Sequence, residues 1–380
     1  MKKILLVIFL TLLIFTPTDT AAAQSGDDDA NLPLCLPGMT ADSACMLYGP
    51  AQTVADMKAA GFPYPARDLP AAVPSSELGV LPVYVARINA PEDQPAPIYA
   101  SFDDAVARTN AIDQVDPGTL RYVSYVSLAQ HNDKTYLQLA SGRWIKAAPA
   151  AYTDFQGLLF YETPRNDFGW VVDETPGYRE PTLSAATTGR TYYREDVVQV
   201  YQTVEAEGLF WYEIARDEWV NSAKTRVVHL RPEPPEGVTT NRWIEIDLFE
   251  QVMAVYEEGQ LQFATIVATG VEPFYTRPGV FQIDEKKPLE TMRGAFEADR
   301  SDFYYLQDVP WTMYFDEARA LHAAYWRTFF GYPQSHGCVN LSPGDANWLF
   351  QWADEGDYVW VHDPSGRTPT DPALYGPGAP

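Results

Sequence analysis

The chain carries five histidines and three cysteines in 380 residues, and two of the histidines, His322 and His336, fall within sixteen residues of Cys338. The densest group is Ser335-His336-Gly337-Cys338-Val339-Asn340. On an extended backbone, residues two apart share a face, so His336, Cys338 and Asn340 are expected to line one side. A thiol with a pKa of about 8.5 is only slightly ionised at neutral pH. A nearby imidazole raises the thiolate fraction and later hands a proton to a leaving amine. Gly337 brings no side chain, so amide N–H groups around Cys338 can approach a developing oxyanion. The chemistry these residues allow is acyl transfer through a thioester.

Two plainer readings compete. A lone cysteine is usually a small buried hydrophobe, but that leaves the clustered histidines and the flanking Ser-His-Gly unexplained. His322, His336 and Cys338 could instead ligate zinc, since three nitrogen and sulfur ligands suffice for an open catalytic site. Zinc signatures normally add a further pair at helical or knuckle spacing, and this chain has none, so no metal or other cofactor is expected. Cys35 and Cys45 are close enough in sequence to bridge a small loop, leaving Cys338 as an odd thiol.

The elements that must position this group begin after a leader. Met1-Lys2-Lys3, an apolar run from Ile4 to Phe15 and the small residues Ala21-Ala22-Ala23 form a secretory signal pattern, with cleavage expected after Ala23. The apolar run falls short of the roughly 20 residues that span a bilayer, and no later run is longer, so no span is expected after cleavage. The formal charge of −24 repels nucleic acid and anionic lipid surfaces, and no basic patch offsets it. A secreted, soluble enzyme fits this balance.

Residues 24–78, rich in Asp, Ala and Pro, read as an entry segment with one short helix from Thr53 to Ala60. Two stretches then align at an offset of 75 residues. Tyr136 to Ala140 with Trp144-Ile145 lies over Trp211 to Ala215 with Trp219-Val220. Each predicts a hairpin closing a small β unit, one over 79–152 and one over 153–236. The pair resembles tandem bacterial Src-homology-3-like barrels. Pro232, Pro234, Pro235 and Gly237 predict a stiff linker with few contacts. A β-meander follows: Ile244, Ile246 and Leu248 alternate with Glu245 and Asp247, then come Val252 to Tyr256, a turn at Glu257 to Gln260, and a strand from Leu261 to Val267. Ser342-Pro343-Gly344-Asp345 has helix-start chemistry, with Ala346, Leu349 and Ala353 on one face and Gly356 as the stop. Tyr358 to Val361 returns as a strand, and 364–380 is expected to be disordered.

A domain read over 237–363 resembles, across about residues 238–362, the L,D-transpeptidase catalytic domain, the YkuD type. The likeness rests on His322 ahead of Ser335-His336-Gly337-Cys338-Val339-Asn340, on Trp243 to Leu248, Gln251, Val267 to Gly270, and Thr276 to Phe281. It implies a mainly β fold, with a C-terminal sandwich and short helix whose cysteine and histidine lie in a cleft beneath a mobile lid. It further implies that Cys338 is the nucleophile and His322 the general base. Ser335 and His336 would support the site, Gly337 and Cys338 would offer oxyanion-hole amides, and Asn340 would help hold substrate. The family usually has Gly or Ser after the first histidine, with a carbonyl that orients the imidazole; here the residue is Ala323, which keeps a carbonyl. Trp311, Tyr314 and Phe315 would line the lid or pack in the core.

The resemblance implies action on peptidoglycan stem peptides, joining the third residue of one stem to that of another. Water or another protein as acceptor would instead make the chain an L,D-carboxypeptidase or a wall-protein attachment enzyme. A reading from another class makes it a wall-binding or scaffolding protein whose two aromatic-rich β repeats are the working part.

Overall fold

The computed structural model describes residues 68–375, apart from 298 and 301. The leader, the Thr53 to Ala60 helix, Cys35 and Cys45 lie outside the described residues. The fold is mainly β, as the periodicity predicts.

The meander forms where the sequence places it. Strands Arg242–Asp247, Val252–Glu257 and Gln260–Ile266 pair antiparallel in order. The second turn places Glu258 (φ 52°) and Gly259 (φ 73°) consecutively in the left-handed region, as a tight hairpin requires. Strand Tyr358–His362 pairs parallel with Arg242–Asp247 and, on its other edge, antiparallel with Gly279–Gln282. The opposing layer comprises the long hairpin Glu285–Gly294 and Tyr304–Asp316, then Arg319–Ala323, then Val339–Leu341.

Ile244, Ile246, Val255 and Phe263 from the first layer meet Met313, Phe315, Leu321 and Val339 from the second in one core. The helix Pro343–Trp352 closes this core with Ala346 and Leu349, and Ala353 packs just beyond its end. Its start follows the predicted chemistry: Ser342 is the N-cap and its Oγ accepts the Asp345 N–H at 3.2 Å, with Pro343 in the first turn.

Both predicted hairpins are present. Lys134–Gln138 pairs with Trp144–Pro149 in the first β module, and Leu209–Ala215 with Glu218–Asn221 in the second. The module boundaries differ from expectation. Strand Leu158–Phe160, expected in the second repeat, instead adds to the edge of the meander through Phe263 and Ala264, and Ala71-Ala72 pairs on its outer side. A Cβ on Gly157 would sit 2.3 Å from the Ala264 carbonyl oxygen, so glycine permits this approach. Three residues are too few for alternation to say which sheet they join. The first module is also not separate: its strand Leu120–Tyr125 pairs parallel with Tyr304–Leu306 of the long hairpin.

The second module covers the back of the meander. Phe168, Trp170 and Val228 pack with Trp243, Ala254 and Tyr256. Glu245 and Asp247, which alternation reads as the polar face of a half-buried strand, are therefore buried at 3% and 2% exposure. Their charge is met by Arg231 Nη1, 2.5 Å from Glu245, and by His362 Nε2 at 2.8 Å. Burial raises the Asp247 carboxyl, opposed by the His362 charge. Burial alone would neutralise His229, but hydrogen bonding to Asp167 (2.7 Å) and the Glu250 carboxylate outweigh it and hold the imidazole up to about 10. The two ends of the linker are held: Val238 packs on this same core, and Arg231 pairs with Glu245. Residues 364–375 are also placed, with Asp371 capping a short turn and Tyr375 under the Arg319 guanidinium.

Asp345 ties three parts together. Its carboxylate accepts the Gly157 N–H at 2.7 Å and the Thr265 hydroxyl at 2.6 Å, while burial raises its pKa to about 7. An unfolded Asp titrates near about 3.9, so between about 4 and 7 the folded chain holds a proton that the unfolded chain has released. This contribution to stability is present below that window and is lost as pH rises through it. Asp345→Asn keeps an acceptor for the Gly157 N–H, turns the second contact round so that its amide N–H donates to the Thr265 hydroxyl oxygen, and removes the titration. Melting curves from pH 5 to 8 should show the wild type losing ground to Asp345→Asn, and equal slopes would count against the assignment.

Candidate active site

His322 lies on strand Arg319–Ala323, buried to 2% exposure. Its Nδ1 lies 3.1 Å from the Ala323 carbonyl oxygen, which accepts only, so Nδ1 carries the proton and Nε2 is left as a lone pair. Asn340 Nδ2 donates to that Nε2 at 3.1 Å. The orientation of the Asn340 amide follows from its other neighbour: Arg327 Nε, donor only, lies 2.5 Å from Asn340 Oδ1. Arg327 is in turn held by the side chain and backbone oxygens of Gln334, at 3.1 and 2.5 Å. A directed series of hydrogen bonds thus runs from Arg327 through Asn340 and His322 to Ala323. The Ala323 carbonyl thus lies within hydrogen-bond reach of the imidazole that it is expected to orient.

The residues around Cys338 depart from the extended reading. Only Val339–Leu341 is strand; Ser335 makes a single bridge to Gly270, and 336–338 form a turn in which Gly337 has φ 118°. The turn is built by side chains. Ser335 Oγ donates to the Cys338 carbonyl (2.5 Å) and accepts the Gly337 N–H (3.1 Å), and Thr276 Oγ1 donates to the Gly337 carbonyl (2.8 Å). The Gly337 N–H is therefore already engaged and does not serve as the expected oxyanion donor here; Gly337 contributes its left-handed backbone. The Cys338 N–H keeps that candidate role. Ala268 and Asn340 exchange backbone hydrogen bonds, and Gln251 Oε1 accepts the Thr269 N–H, so the upstream blocks of the sequence brace this turn.

Cys338 is a free thiol, partly open to a cavity of about 660 Å³ that His322, His336, Asn340 and Arg327 also line. Burial pushes the thiol up, against the Ala320 N–H and the charges of Arg319 and Arg327, which favour thiolate. Burial lowers His322 to about 4, offset in part by the Ala323 carbonyl. The resting pair is a neutral thiol and a neutral imidazole, able to accept a proton only once a reaction supplies the driving force.

His336 is exposed to the cavity and stacked on Phe296 at 4.4 Å and 7°. Tyr314 lines the cavity, whereas Phe315 is in the core and Trp311 packs against it. The ligand atoms of His322, His336 and Cys338 do not converge. Among the described residues, those of Glu245, Asp247 and His362 do, with Arg231 already between the carboxylates. Arg327 carries no sequence signal beyond being a charge inside the aromatic stretch Tyr325 to Phe330.

Residues 241–361 match the family model of the L,D-transpeptidase catalytic domain. Similar solved structures include a Cys-to-Ser mutant of the Enterococcus faecium L,D-transpeptidase, at 26% identity over 32% of this chain and 50% of that one, TM-score 0.30. A Stackebrandtia nassauensis L,D-transpeptidase is 27% identical over 35% of this chain and 59% of its own, TM-score 0.27. One from Mycobacterium smegmatis is 17% identical over 55% and 90%, TM-score 0.31. The chain thus spans about half the length of the Enterococcus protein. None of the curated proteins compared matches it.

Alkylation of Cys338 by iodoacetamide, followed by intact-protein mass spectrometry, should rise with pH through one ionisation above the ordinary thiol range, with no step near pH 6.5. A step there would mean that His322 titrates as an ordinary histidine. Arg327→Met removes a charge that favours thiolate and should slow alkylation at pH 8 by about tenfold, the equivalent of one pKa unit.

Proposed function

We propose that this chain, whose residues 241–361 form an L,D-transpeptidase catalytic domain, acts outside the cytoplasm on peptidoglycan stem peptides by acyl transfer through a thioester on Cys338. The observation that carries this reading is the fixed imidazole of His322 on the same cavity as the free thiol of Cys338, inside the matched segment.

In the first half-reaction the Cys338 sulfur attacks the carbonyl carbon of the third stem residue while His322 Nε2 takes the thiol proton. The developing oxyanion meets the Cys338 N–H. His322 returns its proton to the departing amine of the terminal D-alanine, leaving the thioester. In the second half-reaction the side-chain amine of a neighbouring stem attacks, His322 takes the amine proton, and the thiol leaves with it. The new peptide bond joins two third residues without ATP, because the thioester carries the acyl group. Asn340 must release Nε2 at each proton transfer, and its bond to Arg327 keeps it near for the return.

The leader pattern and the acidic surface support an exported enzyme, soluble after cleavage. No helix among the described residues is long and apolar enough to cross a membrane.

Incubation of the full chain with stem-tetrapeptide muropeptides, read by mass spectrometry of protein and products, tests the reading. A Cys338-dependent acyl adduct with dimeric product is expected, absent in Cys338→Ala and reduced about 10²- to 10⁴-fold in His322→Ala. An adduct that yields only shortened monomer makes water the acceptor, and no adduct with any stem chemistry would remove the assignment.

A further inference from the structure

The cavity that holds Cys338 is not bounded by the catalytic segment alone. Gln114, Asp116, Thr119 and Leu120 of the first β module line it together with Tyr304 and Phe296. The joint between the two parts is a backbone one. Leu120, Arg121 and Tyr122 lie opposite Tyr304, Tyr305 and Leu306 in a parallel pair, while Gly294, Arg293 and Met292 pair on the other edge of the same hairpin strand. The Thr119 N–H donates to the Phe303 carbonyl at 3.1 Å.

Phe303, the residue just before that strand, is buried at 5% exposure in the core of the first module, among Ala86, Ile98, Val115, Val123 and Leu137. Gly118 makes this seat possible. A Cβ there would lie 2.1 Å from the Phe303 carbonyl oxygen and 2.9 Å from its ring. The loop carrying Gly118 is itself held, because the guanidinium of buried Arg121 donates to the carbonyls of Ala90, Pro91, Gln94 and Asp116 at 2.8 to 3.2 Å.

From Phe303 the contacts run to the nucleophile. The neighbouring Asp302 carboxylate accepts the N–H groups of Phe296 and Glu297 at 2.9 and 3.1 Å. Phe296 then stacks on His336, two residues from Cys338. Tyr304 lies 6.2 Å from Phe296, centroid to centroid, and lines the cavity on the same side.

We propose that the first β module is a working wall of the catalytic cleft: by seating Phe303 in its own core, it positions Phe296 and Tyr304 over the turn that carries Cys338. Phe303 and Gly118 are positioning residues; neither touches the reacting atoms. The module thereby sets how an acyl donor enters, which rests on the acyl-transfer reading, whereas the clamp itself does not.

The test uses the full chain and three variants. Gly118→Ala is the narrow one, since the added methyl meets the Phe303 backbone; Phe303→Ala empties the seat and Phe303→Leu refills it. Hydrogen exchange should show the amides of Tyr304 to Leu306 protected in the wild type and faster in Gly118→Ala and Phe303→Ala. Iodoacetamide should alkylate Cys338 about tenfold faster in these two, and KM for a stem tetrapeptide should rise by about tenfold, the equivalent of about 1.4 kcal/mol, with a smaller change in kcat. Phe303→Leu should restore both readouts, which separates positioning from a general loss of fold. Unprotected amides in the wild type, or alkylation and KM unchanged in a folded Gly118→Ala, would overturn the proposal. If the wild type turns over no tetrapeptide while exchange and alkylation respond as stated, the clamp stands and the substrate reading fails.

Discussion

The arrangement of the site depends on a buried guanidinium. Arg327 cannot accept a hydrogen bond, so the oxygen of Asn340 must face it and the Asn340 amide nitrogen must face His322. That leaves Nε2 unprotonated and puts the imidazole proton on Nδ1, against the Ala323 carbonyl. An imidazole with a free Nε2 is therefore obtained without a carboxylate partner. Such a partner would raise the imidazole pKa, whereas burial with a nearby cation holds it at about 4.

The neutral state of this pair shapes the chemistry. A preformed thiolate in a buried pocket would need counter-charge, and here the thiol is pushed up by burial against the pull of Arg319 and Arg327. In the proposed acyl transfer the proton moves when the sulfur engages a carbonyl, and because the Gly337 N–H is engaged by Ser335, the Cys338 amide is the one to meet the oxyanion. Geometry carries the rate in such a site, so the elements that fix geometry matter more than any one charge. The turn at 335–338 is braced by Thr276, by the 268–270 segment and by Phe296 over His336.

Those braces extend into the modules that precede the catalytic segment. The second module covers the back of the meander and buries Glu245 and Asp247, which makes their pairing with Arg231 and His362 obligatory. The first module continues the front layer through the long hairpin. The first module thus extends one layer of the sandwich, and the second covers the outer face of the other.

The candidate site was legible in the sequence because it rests on rare residues at short spacing: Cys338 and two histidines inside seventeen positions, with Asn340 beside them. The meander, both Trp-bearing hairpins and the helix from Ser342 were equally legible, since period, turn residues and caps are local properties. What lay beyond the sequence was pairing between distant segments. Neither Leu158 to Phe160 on the meander edge, nor Phe303 in the first module, nor Arg327 against Asn340 has a local signature, because each depends on which surface the chain meets after folding. Alternation gave Glu245 and Asp247 a polar face, but only the tertiary structure decided that this face would be covered. The Gly337 N–H could be assigned only once the turn geometry showed Ser335 holding it, since an extended backbone and a left-handed turn send the same amide in different directions.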